Sequence, residues 1–567
     1  MPARSEVIGS KPHWLLDLEL GGAVYRLADQ ALEVNQADGT VLRYHVAANL
    51  GRLRVTLDDS PLSVAIKLGG VAPGGTPWAL IIARGGPGAL TGASATLRRW
   101  FEDQDFERAR VMVAGLVTSP EYGTSEQPFE FSLERLGDEV LGTIPPEDAK
   151  IDETTWPVQD PAAGAEVAQP DPACRGAYYP WIFGVPGDGA EGLLWGNFPL
   201  SASSTPVYIG SWYRWETYIY SEFIVAGHEV LATTVRIDDV SGGYSRQDIP
   251  YENFTLTTDV DLRGRTVAIA KISTRYIVRI VPGNEYWATW SSGFGGGLPN
   301  SDRSAPMRNA GEVIEYMLRF VGWKVDSGRM AAVRTYLDRF HLDFCLAEPI
   351  RPREWISQEL GSLLPLVWRE SEDGIYLDVL RYDATEQDAV LHLVEARDAS
   401  DDPGVVVTRS TPLRGSEPAR VENDFTIRYA VMRGGELLKR KRLAAPGVAG
   451  TEGVADTSVS GEFPAWLLGV SQRRHGVRPR TFSAWFVCED TTADLLLATR
   501  ARWKSIARRS LAARGGVELE QLEPGAVVTY SESRLYMTKE PALVRAVTFS
   551  LRSVDVALEL LDDPGAP

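Results

Sequence analysis

Along the first 145 positions, apolar and polar residues alternate in short runs, the period of two that turns one face of an extended strand into a core. Ala23-Val24-Tyr25-Arg26-Leu27, Val41-Leu42-Arg43-Tyr44-His45-Val46 and Leu53-Arg54-Val55-Thr56-Leu57 are such runs, split by the turn pairs Asp38-Gly39 and Asp58-Asp59. Leu97, Trp100 and Phe101 stand at i, i+3 and i+4, which predicts one short helix. Residues 110–117 and 128–134 read as strands on either side of the turn Pro120-Glu121-Tyr122-Gly123. Residues 1–145 are therefore expected to form a first β-barrel unit with one helix.

The period then disappears. Residues 146–175 are rich in Pro, Ala, Asp and Glu and predict an extended linker arm. Residues 176–292 predict an aromatic-rich β unit, with Tyr178, Tyr179, Trp181 and Phe183 followed by Trp212, Tyr213, Trp215, Tyr218, Tyr220 and Phe223. The glycines of residues 293–308 predict a hinge. In 309–370 the spacing becomes helical: Asn309 can cap with Glu312, and Val313, Ile314, Met317, Leu318 and Val321 share one face. Further helices are predicted over 327–341 and from Pro352, where Trp355, Ile356, Leu360 and Leu363 form a stripe. Residues 371–567 return to strands, interrupted by a helix over 493–508, and end on the strict alternation Val554-Asp555-Val556-Ala557-Leu558-Glu559-Leu560. The expected class is mainly β with α insertions (α+β), in several domains. No short-period repeat of the solenoid kind occurs.

Composition narrows the functions. The chain has 567 residues, enough for roughly three to five domains. With 76 acidic against 58 basic residues its net charge is −18, the opposite of a protein that binds by neutralising phosphates. No apolar run is long enough for a membrane-spanning helix, and the first residues lack a secretory signal, so the protein is expected to be made and assembled in a cytoplasm. Cys174, Cys345 and Cys488 are far apart and odd in number, which fits reduced buried thiols.

Catalytic patterns are incomplete. His341-Leu342-Asp343-Phe344-Cys345 would put three ligand-type side chains on one face of a strand, but no fourth ligand is recognisable. His228-Glu229 opens like a zincin helix, yet Ala232 stands where the second His belongs. Gly85-Gly86-Pro87-Gly88 lacks the Lys-Ser or Lys-Thr of a phosphate loop and reads as a turn. Glu216 and Glu222, among Trp212, Trp215 and Tyr218, could on paper be a glycosidase pair, although spacing in sequence does not fix their separation. The basic run Lys439-Arg440-Lys441-Arg442 is expected to meet an acidic neighbour subunit. No cofactor, metal or catalytic residue is assigned, and the expectation is of a protein that is not an enzyme. Tyr178, Trp181, Phe183, Trp212, Trp215 and the basic run are the candidate partner contacts.

Several segments, in order along the chain, resemble tail-tip and baseplate hub proteins of tailed bacteriophages and the related tails of gene transfer agents. The first runs from Leu97-Arg98-Arg99-Trp100 through residues 110–117 to Pro128-Phe129-Glu130-Phe131-Ser132-Leu133-Glu134. The second is Ala177-Tyr178-Tyr179-Pro180-Trp181-Ile182-Phe183-Gly184 with Ile224-Val225-Ala226-Gly227-His228. The third joins Arg308-Asn309-Ala310-Gly311-Glu312, Glu348-Pro349-Ile350, Glu354-Trp355 and Leu363-Leu364-Pro365 to Asn423-Asp424-Phe425-Thr426-Ile427-Arg428-Tyr429. Leu522-Glu523-Pro524-Gly525-Ala526-Val527-Val528 and Leu558-Glu559-Leu560-Leu561 close the series.

The resemblance implies two tube-like β-barrel hub domains from distant parts of the chain, joined by inserted domains. It also implies a homotrimer whose pseudo-sixfold ring continues the tail tube. The partners it implies are the distal tail or tail tube protein, other tip, baseplate or fibre proteins and the tape-measure protein, with DNA passing during ejection without specific binding. Many relatives run on into a fibre, lysin or peptidase domain and this sequence stops at Pro567, so no built-in cell-wall enzyme is expected. Two other readings stay open: a receptor- or carbohydrate-binding tail module built on the aromatic cluster, and a cell-wall glycan hydrolase using Glu216 and Glu222.

Overall fold

The computed structural model describes residues 11–46, 53–56, 63–68, 72–73, 75–85, 90–102, 104–121, 129–134, 141–151, 176–185, 207–214, 217–230, 236–239, 247–248, 254–262, 265–273, 286–289, 298–346, 348–371, 374–415, 421–431, 437–445, 466–550 and 553–561. The chain is mostly β, with helices concentrated between residues 310 and 504.

The amino-terminal strands form an eight-stranded sheet in the order Leu32–Asn35, Val41–Val46, Ala23–Ala28, Pro12–Leu20, Ser94–Phe101, Arg110–Glu121, Phe129–Glu134, Ser63–Leu68. Alternation explains most of it. On Pro12–Leu20, Leu16 and Leu18 are fully buried while Glu19 is exposed. The helix expected at Leu97, Trp100 and Phe101 is instead the strand Ser94–Phe101. Burial on that strand alternates as far as Arg99, but the buried position 99 carries an arginine and Trp100 is buried against a separate cluster on the other face, so the apolar residues Leu97, Trp100 and Phe101 mimic a helical stripe. The helix of this unit is Trp78–Gly85, just before the glycine cluster.

The carboxy-terminal strands close into a six-stranded barrel. Its order is Val405–Arg409, Leu391–Glu395, Val527–Glu532, Met537–Phe549, Val554–Leu560, Arg509–Gly515, and it closes where Thr408 and Arg409 face Arg514 and Ala513. Leu391–Glu395 runs parallel to both of its neighbours. Leu393, Val407, Val528, Val544 and Leu558 are among the fully or almost fully buried residues that fill the core, so the barrel is solid, as small barrels are. The strand Leu53–Thr56, from the amino-terminal part, adds to the second half of Met537–Phe549, with Val55 opposite Val547. One apolar core is continuous from Trp14 and Leu16 to Val556 and Leu558.

A second core lies around the helices Ala310–Phe320 and Ser327–Leu337 and the turn Pro352–Trp355, which continues as a π-helical turn, Ile356–Leu360. It is shared with the strands Asp424–Val431 and Pro479–Ala484 and the helices Trp466–His475 and Asp490–Lys504. The expected capping box does not form. Asn309 makes no side-chain cap bond, and Glu312 accepts from the Ser301 N–H at 2.9 Å. The next helix is capped by Asp326, which accepts from the Arg329 N–H at 3.0 Å.

Earlier in the sequence than the helical part, Val207–Arg214, Thr217–Ala226, Arg265–Ser273 and Phe254–Leu262 form a four-stranded antiparallel sheet in that order. The expected hinge glycines 293–297 and most of the 146–175 arm lie outside the described residues.

Candidate functional site

The aromatic candidates fall into two groups. The strand Trp181–Phe183 pairs with Phe344–Leu346, and both rings are spent inside the chain's own core. Trp181 is 6% exposed with Phe320 at 4.6 Å, and Phe183 is fully buried and stacked on Phe344 at 5.0 Å, so neither ring faces outward. Tyr178 is half-buried beneath the Lys150 ammonium, 4.7 Å from the ring centre. Trp212 stands on Val207–Arg214 opposite Tyr220, and Glu222 on the next strand opposite Gly210. Trp215 and Glu216 lie outside the described residues.

The basic run is the edge strand Leu437–Leu443 of a three-stranded sheet with Asp424–Val431 and Pro479–Ala484. Three of its charges are answered within the chain: Lys439 by Asp490 at 2.9 Å, Lys441 by Asp494 at 2.6 Å, and Arg442 by both oxygens of Asp424. Within the chain, these three charges are thus met by the helix Asp490–Lys504 and by the adjacent strand. Arg440 is exposed.

The His341-Leu342-Asp343-Phe344-Cys345 segment is a structural knot. Asp343 is buried, accepts from the Val185 N–H at 2.8 Å and pairs with Arg308 at 3.0 Å. Arg308 also reaches Glu489 at 2.6 Å, and Glu489 meets His341 Nδ1 at 2.7 Å. Burial pushes the Asp343 pKa up against the pull of Arg308. The Glu489 pKa is lowered, chiefly by the hydrogen bond with His341. Cys345 and Cys488 are buried, the Cys488 Sγ 3.7 Å from the Asp343 carbonyl, and among the described residues no group of three or more His, Cys, Asp and Glu could hold a metal ion.

His228 is likewise structural. Its Nε2 accepts from the Ile182 N–H at 3.0 Å, while Nδ1 lies 2.7 Å from the Glu229 carbonyl, to which it donates. Burial drives its pKa down to about 4, so the ring is neutral. Gly227 lets this turn close: a Cβ there would lie 2.6 Å from the Tyr179 side chain.

Two features had no sequence signal. The first is an ionic junction at the foot of the barrel. Arg99, 2% exposed, lies over the Trp14 ring at 4.5 Å and donates to Glu520 at 2.9 Å and to the Ser550 carbonyl at 2.9 Å. Arg110 donates to the Glu520 carbonyl and to Glu523, both at 2.9 Å, and Arg329 of the helical part meets Glu523 at 3.3 Å. Three regions of sequence therefore converge on one short acidic turn. The second feature is Tyr536, 96% exposed at the tip of the hairpin between Val527–Glu532 and Met537–Phe549 and held at φ +55°. The tip is pinned by Asp398, which accepts from the Ser533 N–H at 2.8 Å and its hydroxyl at 2.7 Å.

No family model and no curated protein matches the chain. Among solved structures it is similar to a chain of the native gene transfer agent virion, at 11% identity over 72% of this chain and 89% of that one, with a TM-score of 0.37. It is also similar to a 43 kDa tail protein of prophage MuSo2 from Shewanella oneidensis, at 11% identity over 69% and 90% of the two chains, TM-score 0.24. A third is a prophage tail protein of Listeria monocytogenes, at 9% identity over 66% and 94%, TM-score 0.23. No helix among the described residues is long and apolar enough to cross a membrane.

Proposed function

We propose that the chain is a structural protein of a phage-type virion tail, forming the tail-tip or baseplate hub as a ring of copies, three in number, at the end of the tail tube. The observation that supports this reading most is the fusion of its two distant β parts: Leu53–Thr56 completes an edge of the carboxy-terminal barrel, and one core runs through both. These are the parts whose segments resemble the two hub domains. A body of this kind holds its outer surfaces in fixed relation, which is what a scaffold for tube, tip, fibre and tape-measure proteins needs.

The barrel core is filled, so any channel for DNA lies on the axis of the ring, between copies, and not through one barrel. The net charge of −18 suits such a wall, since carboxylates facing the axis repel phosphates and let the genome slide. A glycan-binding strip on the aromatic cluster has less to stand on, because the Trp181 and Phe183 rings are buried. The test is assembly: the purified chain, mixed with its tail tube protein, caps tubes at one end when seen by electron microscopy. Tubes left uncapped, with the chain free in solution, overturn the proposal.

A further inference from the structure

The outer face of the basic sheet is unlike its inner face. Register places Lys439 opposite Tyr429 and Lys441 opposite Ile427, and Lys439 and Lys441 meet Asp490 and Asp494 of the helix beneath. The other face carries Arg440 directly opposite Arg428, with Ser483 next in the row across the parallel neighbour. All three are exposed. Two like charges at directly opposed positions of an antiparallel pair repel each other. Neither arginine has a carboxylate counter-ion among the described residues, whereas Lys439, Lys441 and Arg442 each have one. Among the described residues the chain therefore neutralises the rest of its basic run and leaves an arginine pair without a counter-ion on a strand face, beside a sheet edge that no other described strand pairs.

We infer that this face docks an acidic surface of a second copy of the chain, with Arg428 and Arg440 supplying the guanidinium forks. The occupant follows from charge. Each copy carries an excess of 18 negative charges, so carboxylates are abundant on any second copy, while the same excess repels nucleic acid from the molecule as a whole. Guanidinium groups bind carboxylates through two parallel N–H···O bonds, and a carboxylate seated between two arginines relieves their mutual repulsion. The edge strand Leu437–Leu443 gains a cover in the same step, which answers the hazard of an open sheet edge. This inference rests on the reading that copies of the chain assemble.

Arg428→Glu is the discriminating variant, because it turns the repelling cross-strand pair into an attracting one inside the chain. The fold then holds at least as well as before, by thermal melting, while self-association measured by light scattering weakens about tenfold or more at low salt. Arg428→Lys/Arg440→Lys keeps the charge and retains most of the association. Wild-type association itself falls as salt rises from about 0.05 M to about 0.5 M, because the contact is between exposed charges. Association of Arg428→Glu that matches wild type across that range overturns the inference and leaves the assembly reading standing. A wild-type chain that stays monomeric at every salt and concentration removes both. Binding of duplex DNA that is lost in Arg428→Glu, with self-association unchanged, assigns the face to nucleic acid and also overturns the inference.

Discussion

The Arg99–Glu520 pair bridges the two β parts, and removing its acid leaves the arginine buried without its counter-ion. Arg99 is 2% exposed and Glu520 9%, so Glu520→Ala leaves a guanidinium buried with only the Ser550 carbonyl to accept from it. Charges about 4 Å apart attract by ~4 kcal/mol at an effective dielectric near 20, and loss of one partner of a buried pair costs about 3–5 kcal/mol because the survivor keeps its desolvation penalty. The double variant Arg99→Met/Glu520→Leu removes that orphan and is expected to recover most of the loss, since apolar replacement of a buried pair is often neutral. The assay is equilibrium urea unfolding followed by tryptophan fluorescence, with Trp14, 4.5 Å beneath Arg99, among the reporters of the junction. Glu520→Ala unfolding at the wild-type urea concentration, or a double variant as weak as the single one, refutes the reasoning.

Further outcomes follow from the same geometry. The pKa of His228, about 4 in the fold against 6.5 unfolded, makes the unfolded chain take up the proton first, so stability declines as pH falls from about 6.5 towards about 4, by about 3 kcal/mol in all. His228→Gln flattens that limb in unfolding measurements across the range. His13 acts in the opposite sense: burial opposes its charge, but Asp29 and Glu102 outweigh it and raise the pKa, so its contribution is full below about 6.5 and is lost as pH rises through the folded value. Asp29→Asn removes this alkaline-side loss in the same titration. Gly184→Ala costs about 2–4 kcal/mol in denaturant melts, because the residue sits at φ +66° and its Cβ would lie 2.3 Å from both Asp343 Oδ1 and the Leu342 carbonyl. Leu53→Ala, at a fully buried position in the shared core, costs about 2–5 kcal/mol and exposes the 53–56 strand to limited proteolysis.

Particular residues show what the sequence made legible. Val554–Leu560 could be read directly, because alternate residues are fully or almost fully buried and the intervening ones only half-buried. Ser94–Phe101 could not, because an arginine fills the buried position 99 and Trp100 is buried on the opposite face, which leaves Leu97, Trp100 and Phe101 spaced like a helix. The Asn309 and Glu312 spacing was a valid capping pattern, but the Ser301 N–H claimed the carboxylate, a tertiary contact local rules do not contain. The basic run was conspicuous, yet which charges are spent inside depends on strand register against the helix Asp490–Lys504, and Arg428 gave no signal of its own. Arg99 and Glu520 are 421 positions apart, so nothing short of the fold brings them together. Tyr536 stood in a turn with no pattern to mark it, and only the left-handed backbone and the Asp398 clamp set it out.

In the proposed assembly, copies of this chain form a hub ring on a tail tube. Electron-microscope averages of the purified protein, alone and with its tube protein, are the decisive measurement. A closed ring of three copies with an open axis, seated on one end of the tube, is the expected result. Compact single copies that never join the tube, at any salt or concentration, contradict it.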